Sequence, residues 1–334
     1  MAYYDNIRLE KGMYAVSGKS FTKVLEEMDP SENYRGTQLE GLDAFERQLK
    51  RFDIKVSGGR SDMVEKFFST ATSSALFPEY VKRAVVSGLN DSNILEQIIA
   101  AKTYIDSLDY RSITSSRDDE ELKPVAEGST IPATTVKTQE NLVKLYKRGR
   151  LLVASYEAIR FQRLDLFTVT LKQIGNRIAR SQLEDAVNVL LNGDGNENPA
   201  KEVELAGESL TYQDLINLWG EFDEHEMNTM LVDTQAMMKL LALEELKDPA
   251  TGLNFQGTGK LSTPMGANLY KSIAVPAGKL IALDKRSALE MVTVGDVGIE
   301  YDKLIDRQLE RAAITATYGF AKIFPDAVRA MDLN

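Results

Sequence analysis

The most regular pattern of hydrophobic positions in the chain lies between residues 164 and 191. Apolar side chains recur there every three or four residues, and charged and amide side chains occupy the opposite side. The apolar positions are Phe167, Leu171, Ile174, Ile178, Leu183, Val187 and Leu190. The pattern predicts one helix from about Leu164 to Leu191, about 40 Å long. Asp165 can serve as its N-cap, and Asn192-Gly193-Asp194-Gly195 ends it with residues that tolerate left-handed backbone geometry.

A long polar stretch, from Ser116 to Asn141, precedes this helix. It contains an acidic run at residues 118–121 and few apolar side chains. Loops without secondary structure beyond about 12–15 residues are uncommon in compact domains and are usually functional or disordered. Residues 134–139 have the composition of a strand, and residues 142–154 alternate as a strand does. We therefore predict a long two-stranded hairpin that projects from the body. Because isolated hairpins are marginal in water, it should lie on another surface.

The N-terminal part, residues 1–74, is predicted to be an extended arm that contains one amphipathic helix. The apolar positions of that helix recur at three- and four-residue spacing, and they are Leu39, Leu42, Phe45, Leu49 and Phe52. A lone amphipathic helix needs a partner surface to be stable. Two alternatives follow: the helix packs on the chain's own core, or it docks on a neighbouring subunit.

The remaining segments are a globular start at residues 75–110 and an α/β region at residues 201–304. In the first, Phe77-Pro78-Glu79 is predicted to be a turn. In the second, Thr229–Asp233 is predicted to be a buried strand, and Thr234 is predicted to cap a helix that continues to Leu246. Further strands are predicted at residues 272–275, 279–283, 291–294 and 311–323.

Composition limits the classes of function. The chain has 334 residues, 43% of them hydrophobic, which is enough for a sizeable core and roughly two domains. The formal net charge is −10. Tight binding to nucleic-acid phosphates needs clustered lysine and arginine, so this charge does not favour a nucleic-acid-binding function. An acidic chain can still enclose a nucleic acid, because it then repels the packed polymer.

Candidate chemistry is sparse. The chain has no cysteine and one histidine, His225, which excludes disulfides, thiolate metal sites and multi-histidine metal sites. Gly257-Thr258-Gly259-Lys260 suggests a phosphate loop, but Asn254 and Leu261 stand where that motif needs glycine and serine or threonine. No apolar run approaches the roughly 20 residues of a membrane span. We therefore expect no enzyme activity, no cofactor, no metal and no membrane partner.

The order of these parts is distinctive. An N-terminal arm is followed by a projecting hairpin with a Gly-Ser-Thr-Ile-Pro tip at residues 128–132, a long helix, an α/β region and a terminal strand. In this order the chain resembles the major capsid protein of tailed bacteriophages with the HK97 fold. The segments that carry the resemblance are FPEYVKRAVVSGL (77–89), PVAEGSTIPATTVKT (124–138), VLLNGDG (189–195) and residues 294–331. None of them is a strict motif, so the resemblance rests on their order.

The resemblance implies an α+β, HK97-like capsid fold with a long spine helix, an extended hairpin loop, a peripheral domain and an axial domain. The implied division is an N-terminal arm (1–74), the start of the peripheral domain (75–110), the extended loop (111–155), the spine helix (156–200), the axial domain (201–304) and C-terminal strands that return to the peripheral domain (305–334).

The resemblance also implies a function. Such proteins assemble into hexamers and pentamers of an icosahedral shell around double-stranded DNA, in a virion that forms in the bacterial host cytoplasm. The DNA would be enclosed without sequence specificity, and portal and decoration proteins would be further partners. Only about 70 residues precede the body and Met1 is retained, so we expect no large N-terminal processing, and a separate scaffolding protein or none.

The residues expected to contact a neighbouring subunit are Ile131, Pro132, Val136 and Lys137 in the hairpin, and Leu39, Leu42, Phe45 and Leu49 in the N-terminal helix. Some relatives crosslink subunits through a Lys–Asn isopeptide bond. The sequence identifies neither an Asn partner for Lys137 nor an assisting Glu, so we expect no crosslink. Two other functions stay open: an encapsulin-like compartment that encloses a cargo enzyme, and an enzyme that uses Asp223, Glu224 and Glu226.

Overall fold

The structure is a computed structural model, which describes residues 4–16, 18–91, 94–115, 124–125, 127, 136–248 and 264–333. The α-helices are α1 (Phe21–Met28), α2 (Ala44–Arg51), α3 (Ala71–Ser74), α4 (Phe77–Asp91), α5 (Tyr156–Arg160), α6 (Leu164–Asn192), α7 (Tyr212–Gly220), α8 (Thr234–Leu241) and α9 (Glu244–Lys247). The strands are β1 (Ala101–Ile105), β2 (Ile113–Ser115), β3 (Val136–Thr138), β4 (Tyr146–Ser155), β5 (Lys201–Val203), β6 (Thr229–Val232), β7 (Asn268–Lys271), β8 (Lys279–Leu283), β9 (Leu289–Val294), β10 (Gly298–Leu304), β11 (Leu309–Lys322) and β12 (Val328–Asp332). Short 3-10 helices lie at Tyr4–Asn6, Lys11–Ala15, Ser31–Tyr34, Val64–Phe68, Leu95–Gln97, Pro264–Gly266, Ile305–Arg307 and Pro325–Ala327.

The chain forms two compact units. Unit 1 contains Met1–Ser92, Arg148–Ile178 and Val297–Ala316, and unit 2 contains Asn93–Lys147, Ala179–Asp296 and Thr317–Asn334. The long helix α6 and the long strand β11 each contribute residues to both units. The division into peripheral and axial domains stays a prediction.

The core of unit 1 includes the N-terminal segment. Its buried side chains come from residues 7–67, from α4, from the first half of α6 and from β11. The bulkiest members are Phe21, Phe45, Phe67, Phe77, Tyr80, Phe167 and Leu171. Within the same unit, β10 pairs antiparallel with residues 309–315 of β11. Residues from the predicted arm therefore share one core with the body, which supplies the partner surface that a lone helix requires.

Unit 2 is built around a five-stranded sheet in the order β5-β12-β8-β6-β7. The central strands β6 and β8 are apolar after their first residue, and both of their faces are buried. The last strand, β12, pairs antiparallel with β8 and parallel with β5, so it lies in the sheet of the α/β region. In a second sheet, β9 pairs in parallel with β1 and antiparallel with residues 318–322 of β11.

Most of the predicted elements are observed. The predicted long helix is α6, Leu164–Asn192, and the predicted strands at residues 279–283, 291–294 and 311–323 are β8, β9 and β11. The helix ends as expected, since Gly193 and Gly195 adopt φ values of +85° and +101°. None of the helices in the described part of the chain is long and apolar enough to cross a membrane.

Several local predictions are wrong. Phe77-Pro78-Glu79 is the first turn of α4 rather than a turn that precedes it, because proline is tolerated where a helical N–H has no partner. Asp165 lies inside the first turn of α6, so it is not the N-cap. Asp233, not Thr234, caps α8, and its carboxylate accepts from the backbone N of Ala236 at 2.8 Å.

Two further predictions about the α/β region need correction. The helix that follows Asp233 is broken at residues 242–243 into α8 and α9. The strand predicted at residues 272–275 lies four residues earlier, as β7, where it pairs in parallel with β6.

Candidate subunit interface

The predicted hairpin is present at its root, but the strand predicted at residues 142–154 is not part of it: that segment forms β4, which pairs with β11. Strand β2 pairs antiparallel with β3, and Ile113, Thr114 and Ser115 lie opposite Thr138, Lys137 and Val136. The predicted contact residues Ile131 and Pro132 lie outside the described residues, as does the tip at residues 128–132. Val136 begins β3 and Lys137 follows it with an exposed side chain. The contact of these residues with a neighbouring subunit stays a prediction.

Both faces of this short ribbon are exposed. Ile113 is 58% exposed on one face, and Lys137, which pairs with Thr114 on the other face, is also exposed. An isolated two-stranded ribbon is marginal in water. The hairpin root therefore needs fixed attachment at its base, a partner surface on its faces, or both.

The first strand is attached through Glu290 on β9. Glu290 is 7% exposed, and its carboxylate accepts hydrogen bonds from the Ser112 hydroxyl and the Tyr110 hydroxyl, each at 2.7 Å. The hydroxyl of Thr103 donates to the same carboxylate. Burial, and then the hydrogen bond to Glu290, raises the pKa of Tyr110. One buried carboxylate thus holds the chain at the point where it leaves the body.

The second strand is attached through Gln139. Its backbone N donates to the Ser112 carbonyl at 2.8 Å, which continues the β2–β3 ladder by one residue. Its side-chain amide, 7% exposed, donates to the Lys322 carbonyl at 3.0 Å and accepts from the Asn196 amide at 3.1 Å. Asn196 in turn accepts from the backbone N of Asn141 at 3.0 Å. Both ends of the hairpin are therefore bonded to buried polar groups.

Lys322 connects this attachment to the end of the long helix. Its ammonium group is fully buried and donates to the carbonyls of Leu190 and Asn198 at 2.8 and 2.7 Å. Its backbone N donates to the Asp194 carboxylate at 2.9 Å. Burial lowers the pKa of Lys322 to about 8. A cation on the last carbonyls of a helix is favourable, so Lys322 fixes the C-terminal end of α6 beside the hairpin root.

The N-terminal contact candidates divide into two pairs. Phe45 and Leu49 of α2 are 2% and 7% exposed in the core of unit 1, which corresponds to the first of the two alternatives for this helix. Leu39 and Leu42 precede the helix and are half-buried. Their contact with a neighbouring subunit stays a prediction.

The polar groups at the hairpin root bond to one another. The carboxylates near His225 do not converge: within the described ranges, no group of three His, Asp or Glu side chains could hold a metal ion. The hydrogen bonds of Glu290 and Gln139 fix the two strands of the ribbon at their base.

The sequence patterns did not identify Glu290, Gln139 or Lys322. Ser112 and Glu290 are 178 residues apart, so no local spacing connects them. A signal does exist in retrospect. Glu290 is the charged residue of β9, and Lys322 follows an uncharged run of β11, and a buried charge requires partners.

The fold is that of capsid proteins. The chain is similar to the capsid protein of cyanophage P-SCSP1u, with a TM-score of 0.55 and 12% identity over 72% of this chain and 88% of that one. It is also similar to a chain of the solved structure of Gordonia phage Cozz, with a TM-score of 0.51 and 12% identity over 72% and 87% of the two chains. A virus-like particle from Pyrococcus furiosus matches with a TM-score of 0.50 and 14% identity over 76% and 98%. These similarities define an HK97-like capsid fold.

A sequence match to a family model shows which family the chain belongs to. Residues 138–330 match the family model described as phage capsid protein, which is more than half of the chain. The chain belongs to the phage capsid protein family. Comparison with curated proteins returns no match. The resemblance to tailed-phage capsid proteins that the order of segments indicates is therefore confirmed, and the protein is a structural component of a phage-type shell.

Proposed function

We propose that this chain is a major capsid protein that assembles into hexamers and pentamers of an icosahedral shell around double-stranded DNA. The observation that supports the proposal best is the hairpin root. Buried Glu290 and Gln139 hold a ribbon whose two faces are exposed. A ribbon that is rigid at its base and uncovered on its faces is suited to lie on the next subunit.

Assembly then depends on many copies of one weak interface. The extended loop at residues 111–155 lies across the neighbouring subunit, with Ile131, Pro132, Val136 and Lys137 among its contacts. Residues 248–266 of the axial domain meet near the capsomer axis. The peripheral domain includes the spine helix. A heterologous contact of this kind closes into rings when the rotation between copies is a simple fraction of a turn.

The charge of the chain suits this role. A net charge of −10 suits a shell whose inner wall must not bind packaged DNA tightly. Enclosure without sequence specificity follows from the same charge. Portal and decoration proteins are further partners, a separate scaffolding protein is optional, and assembly takes place in the host cytoplasm.

Electron microscopy of the expressed protein tests the proposal. We expect closed shells of uniform diameter, and DNA inside them when the remaining phage proteins are present. A chain that lacks residues 118–135 should remain folded by circular dichroism but fail to form shells. Normal shells from the deleted chain would contradict the role of the loop. Shells that purify with one enzyme and no DNA would instead favour the cargo compartment.

A further inference from the structure

A pocket of about 360 Å³ lies in unit 1, between the N-terminal segment and strand β10. Its lining includes Lys11 and Tyr14 of the N-terminal segment, Phe68, and Tyr301 and Lys303 of β10. Pockets that hold small organic molecules have volumes of about 300–1,000 Å³. This pocket therefore has room for one small molecule or for a large side chain of another chain.

Aromatic rings form much of the wall of the pocket. The hydroxyl groups of Tyr14 and Tyr301 are already bonded, because the first donates to the Ala75 carbonyl at 2.8 Å and the second to the Glu310 carboxylate. Their rings, together with that of Phe68, remain as apolar surface. Rings of this kind hold an apolar ligand by burial rather than by hydrogen bonds.

Three cations lie in or beside the pocket. The ammonium group of Lys303 lies 4.5 Å from the centre of the Phe68 ring and 5.7 Å from that of Tyr156. The guanidinium group of Arg160 is 5.9 Å from the same Tyr156 ring. Lys11 is exposed and forms no ion pair with the residues that the structure describes. Burial, and then the charges of Lys11 and Arg160, lower the pKa of Lys303. Like charges therefore crowd together at this pocket.

The carboxylate of Glu310 neutralises these cations only in part. Lys303 donates to it at 2.8 Å, and Glu310 is 6% exposed. Burial raises the pKa of Glu310 to about 7, although Arg160 and Lys11 act in the opposite direction. At neutral pH this carboxyl group is therefore only partly ionised.

Two further carboxylates do not supply the missing charge. Asp302 already pairs with Arg311 at 2.5 Å. Glu300 lines the pocket, but its side chain is exposed and forms no ion pair within the described ranges. Interactions between charges in contact with water are screened and contribute little. The pocket thus combines apolar walls with an excess of positive charge.

We propose that the pocket binds an apolar group that carries an anion, and that Lys11 and Lys303 contact the anion. Ammonium groups form charge-assisted hydrogen bonds with carboxylates and sulfonates, while the rings bury the apolar group. A small organic acid offers this chemistry, and so does a segment of a second copy in which an acidic side chain stands beside an apolar one. The inference concerns the single folded subunit, so it does not depend on the proposed function.

Two simpler roles of the lysines explain less. A purely structural role accounts for Lys303, whose partner is Glu310, but it leaves the cavity beside the two lysines unfilled. Contact with DNA would use the ammonium groups alone, because a phosphate has no apolar group for the aromatic rings to bury. An apolar anion uses both the charge and the rings.

Anilinonaphthalene sulfonate tests the proposal, because it is an apolar anion whose fluorescence rises in an apolar site. Phenylnaphthylamine is the same molecule without the sulfonate, so it is the matched neutral probe. Titration of the folded, unassembled subunit should show one site for the sulfonate. Lys11→Met and Lys303→Met should each weaken sulfonate binding about tenfold, the equivalent of one charge-assisted hydrogen bond. Both variants should bind the neutral probe as wild type does.

The matched control is Lys23→Met with Lys50→Met, which removes two exposed lysines of unit 1 outside the pocket. This variant should bind both probes as wild type does. Circular dichroism checks that each variant is folded. Lys303→Met deprives the buried Glu310 of its cation, whereas Lys11→Met replaces an exposed side chain, so the second variant keeps the test valid when the first fails to fold.

Glu310 provides a second readout, the pH dependence of binding. The groups that face it are Tyr301 and Lys303 of β10, Lys11, and Arg160 of α5. Ionised Glu310 competes with the ligand for Lys303, whereas the sulfonate stays ionised throughout. Sulfonate binding should therefore tighten severalfold as the pH falls from about 8 to about 6. Glu310→Gln has no carboxylate at this position and should bind equally well at both pH values.

Assembly and competition identify the source of the natural anion. Release of the probe when subunits assemble assigns the anionic group to a second copy. Probe that stays bound in shells and is displaced by decanoate assigns it to a small organic acid. Sulfonate affinity that is unchanged in both lysine variants overturns the proposal, and so does an equal loss of both probes. Wild-type protein that binds no sulfonate overturns it as well.

Discussion

Gly88 of α4 and Gly175 of α6 lie against each other where the two helices cross in unit 1. A Cβ atom on Gly175 would overlap the carbonyl oxygen of Val85 and lie 2.6 Å from the backbone N of Leu89 and 3.0 Å from the carbonyl carbon of Gly88. A Cβ atom on Gly88 would in turn overlap the backbone of Lys172. The backbones of the two helices are therefore in direct contact, and only glycine fits at these two positions.

Gly175→Ala should destabilise unit 1. Alanine is the better helix former by about 1 kcal/mol, but the added methyl group meets backbone atoms that cannot move without separating the helices. We expect a net loss of about 2 kcal/mol in the free energy of unfolding, measured by urea titration of the unassembled subunit. The matched control is Gly12→Ala in the same unit, where a Cβ atom meets nothing within 4 Å. An equal effect of the two substitutions would contradict the close approach.

Arg47→Met tests whether the N-terminal segment is part of the folded body. The guanidinium group of Arg47 is fully buried and donates to the Asp29 carboxylate at 2.7 Å. Asp29 is 3% exposed, so loss of the cation leaves a buried carboxylate without its charge partner. Breaking a buried pair on one side costs about 3–5 kcal/mol. We expect a loss of that size in urea unfolding followed by circular dichroism.

The control for this change is Arg8→Met. Arg8 pairs with Glu10 at 2.9 Å, but the two side chains are 87% and 58% exposed. Exposed pairs contribute about 0–1 kcal/mol. Similar effects of Arg47→Met and Arg8→Met would mean that residues 1–74 form an arm that is independent of the body.

The periodic elements were predictable because their pattern is local. The stripe of apolar residues in α6 has a helical period and continues past Gly175 to the end of the helix, where Gly193 adopts a positive φ. Pro78 misled the prediction for α4 because proline is a turn signal in most contexts but is tolerated in a first helical turn. The apolar spacing around Phe45 predicted a helix, yet it could not decide which surface buries that side chain.

The hairpin root shows why the residues that attach it could not be predicted from the sequence. Its polar loop and strand composition predicted a projecting ribbon, and the β2–β3 pair is present. The groups that hold it come from distant strands, and nothing in the spacing of Ser112 or Gln139 indicates Glu290 or Lys322. Long-range partners are fixed by the fold as a whole, so they become visible only when the strands are placed.

Asp284 should make unit 2 sensitive to acid. Burial alone would raise the pKa of this carboxyl group, but hydrogen bonds from the Arg286 side chain and backbone, from the backbone N of Glu226 and from the Asn228 amide outweigh it and lower the pKa to about 2. Because the folded pKa lies below the ordinary value of 3.8, the stabilisation is fully present above pH 4 and is lost as the pH falls from about 4 to about 2. The contribution amounts to about 2 kcal/mol.

Asp284→Asn isolates this contribution, because asparagine does not titrate. The difference in unfolding free energy between wild type and Asp284→Asn should be largest at pH 5 and shrink towards pH 2. A difference that stays constant over that range would mean that Asp284 keeps an ordinary pKa in the folded protein.

Substitutions of Glu290 should release the hairpin root while leaving unit 1 intact. Leucine leaves the hydroxyl groups of Thr103, Tyr110 and Ser112 without their acceptor, and hydrogen bonds to a buried charged group contribute about 1.5–3 kcal/mol each. Glutamine keeps the shape and one oxygen, so it should have a smaller effect. Opening of the root exposes the backbone around Arg111 and Lys144 to trypsin, and each 1.4 kcal/mol of lost stability raises the open population about tenfold.

We therefore expect trypsin to cleave the unassembled subunit at Arg111 and Lys144 fastest in Glu290→Leu, more slowly in Glu290→Gln and slowest in wild type. Mass spectrometry of the fragments measures these rates. Cleavage at Lys50, in the last turn of α2, should be the same in all three because the N-terminal helices belong to unit 1. Shell yield should fall in the same order, since a loosely held ribbon must lose more conformational entropy when it docks on a neighbour.

Equal cleavage of the three proteins at Arg111 would mean that Gln139 and the end of α6 hold the root without help from β9. A rise at Lys50 as well would show that the substitution unfolds the whole chain, and the ribbon would then have no separate attachment.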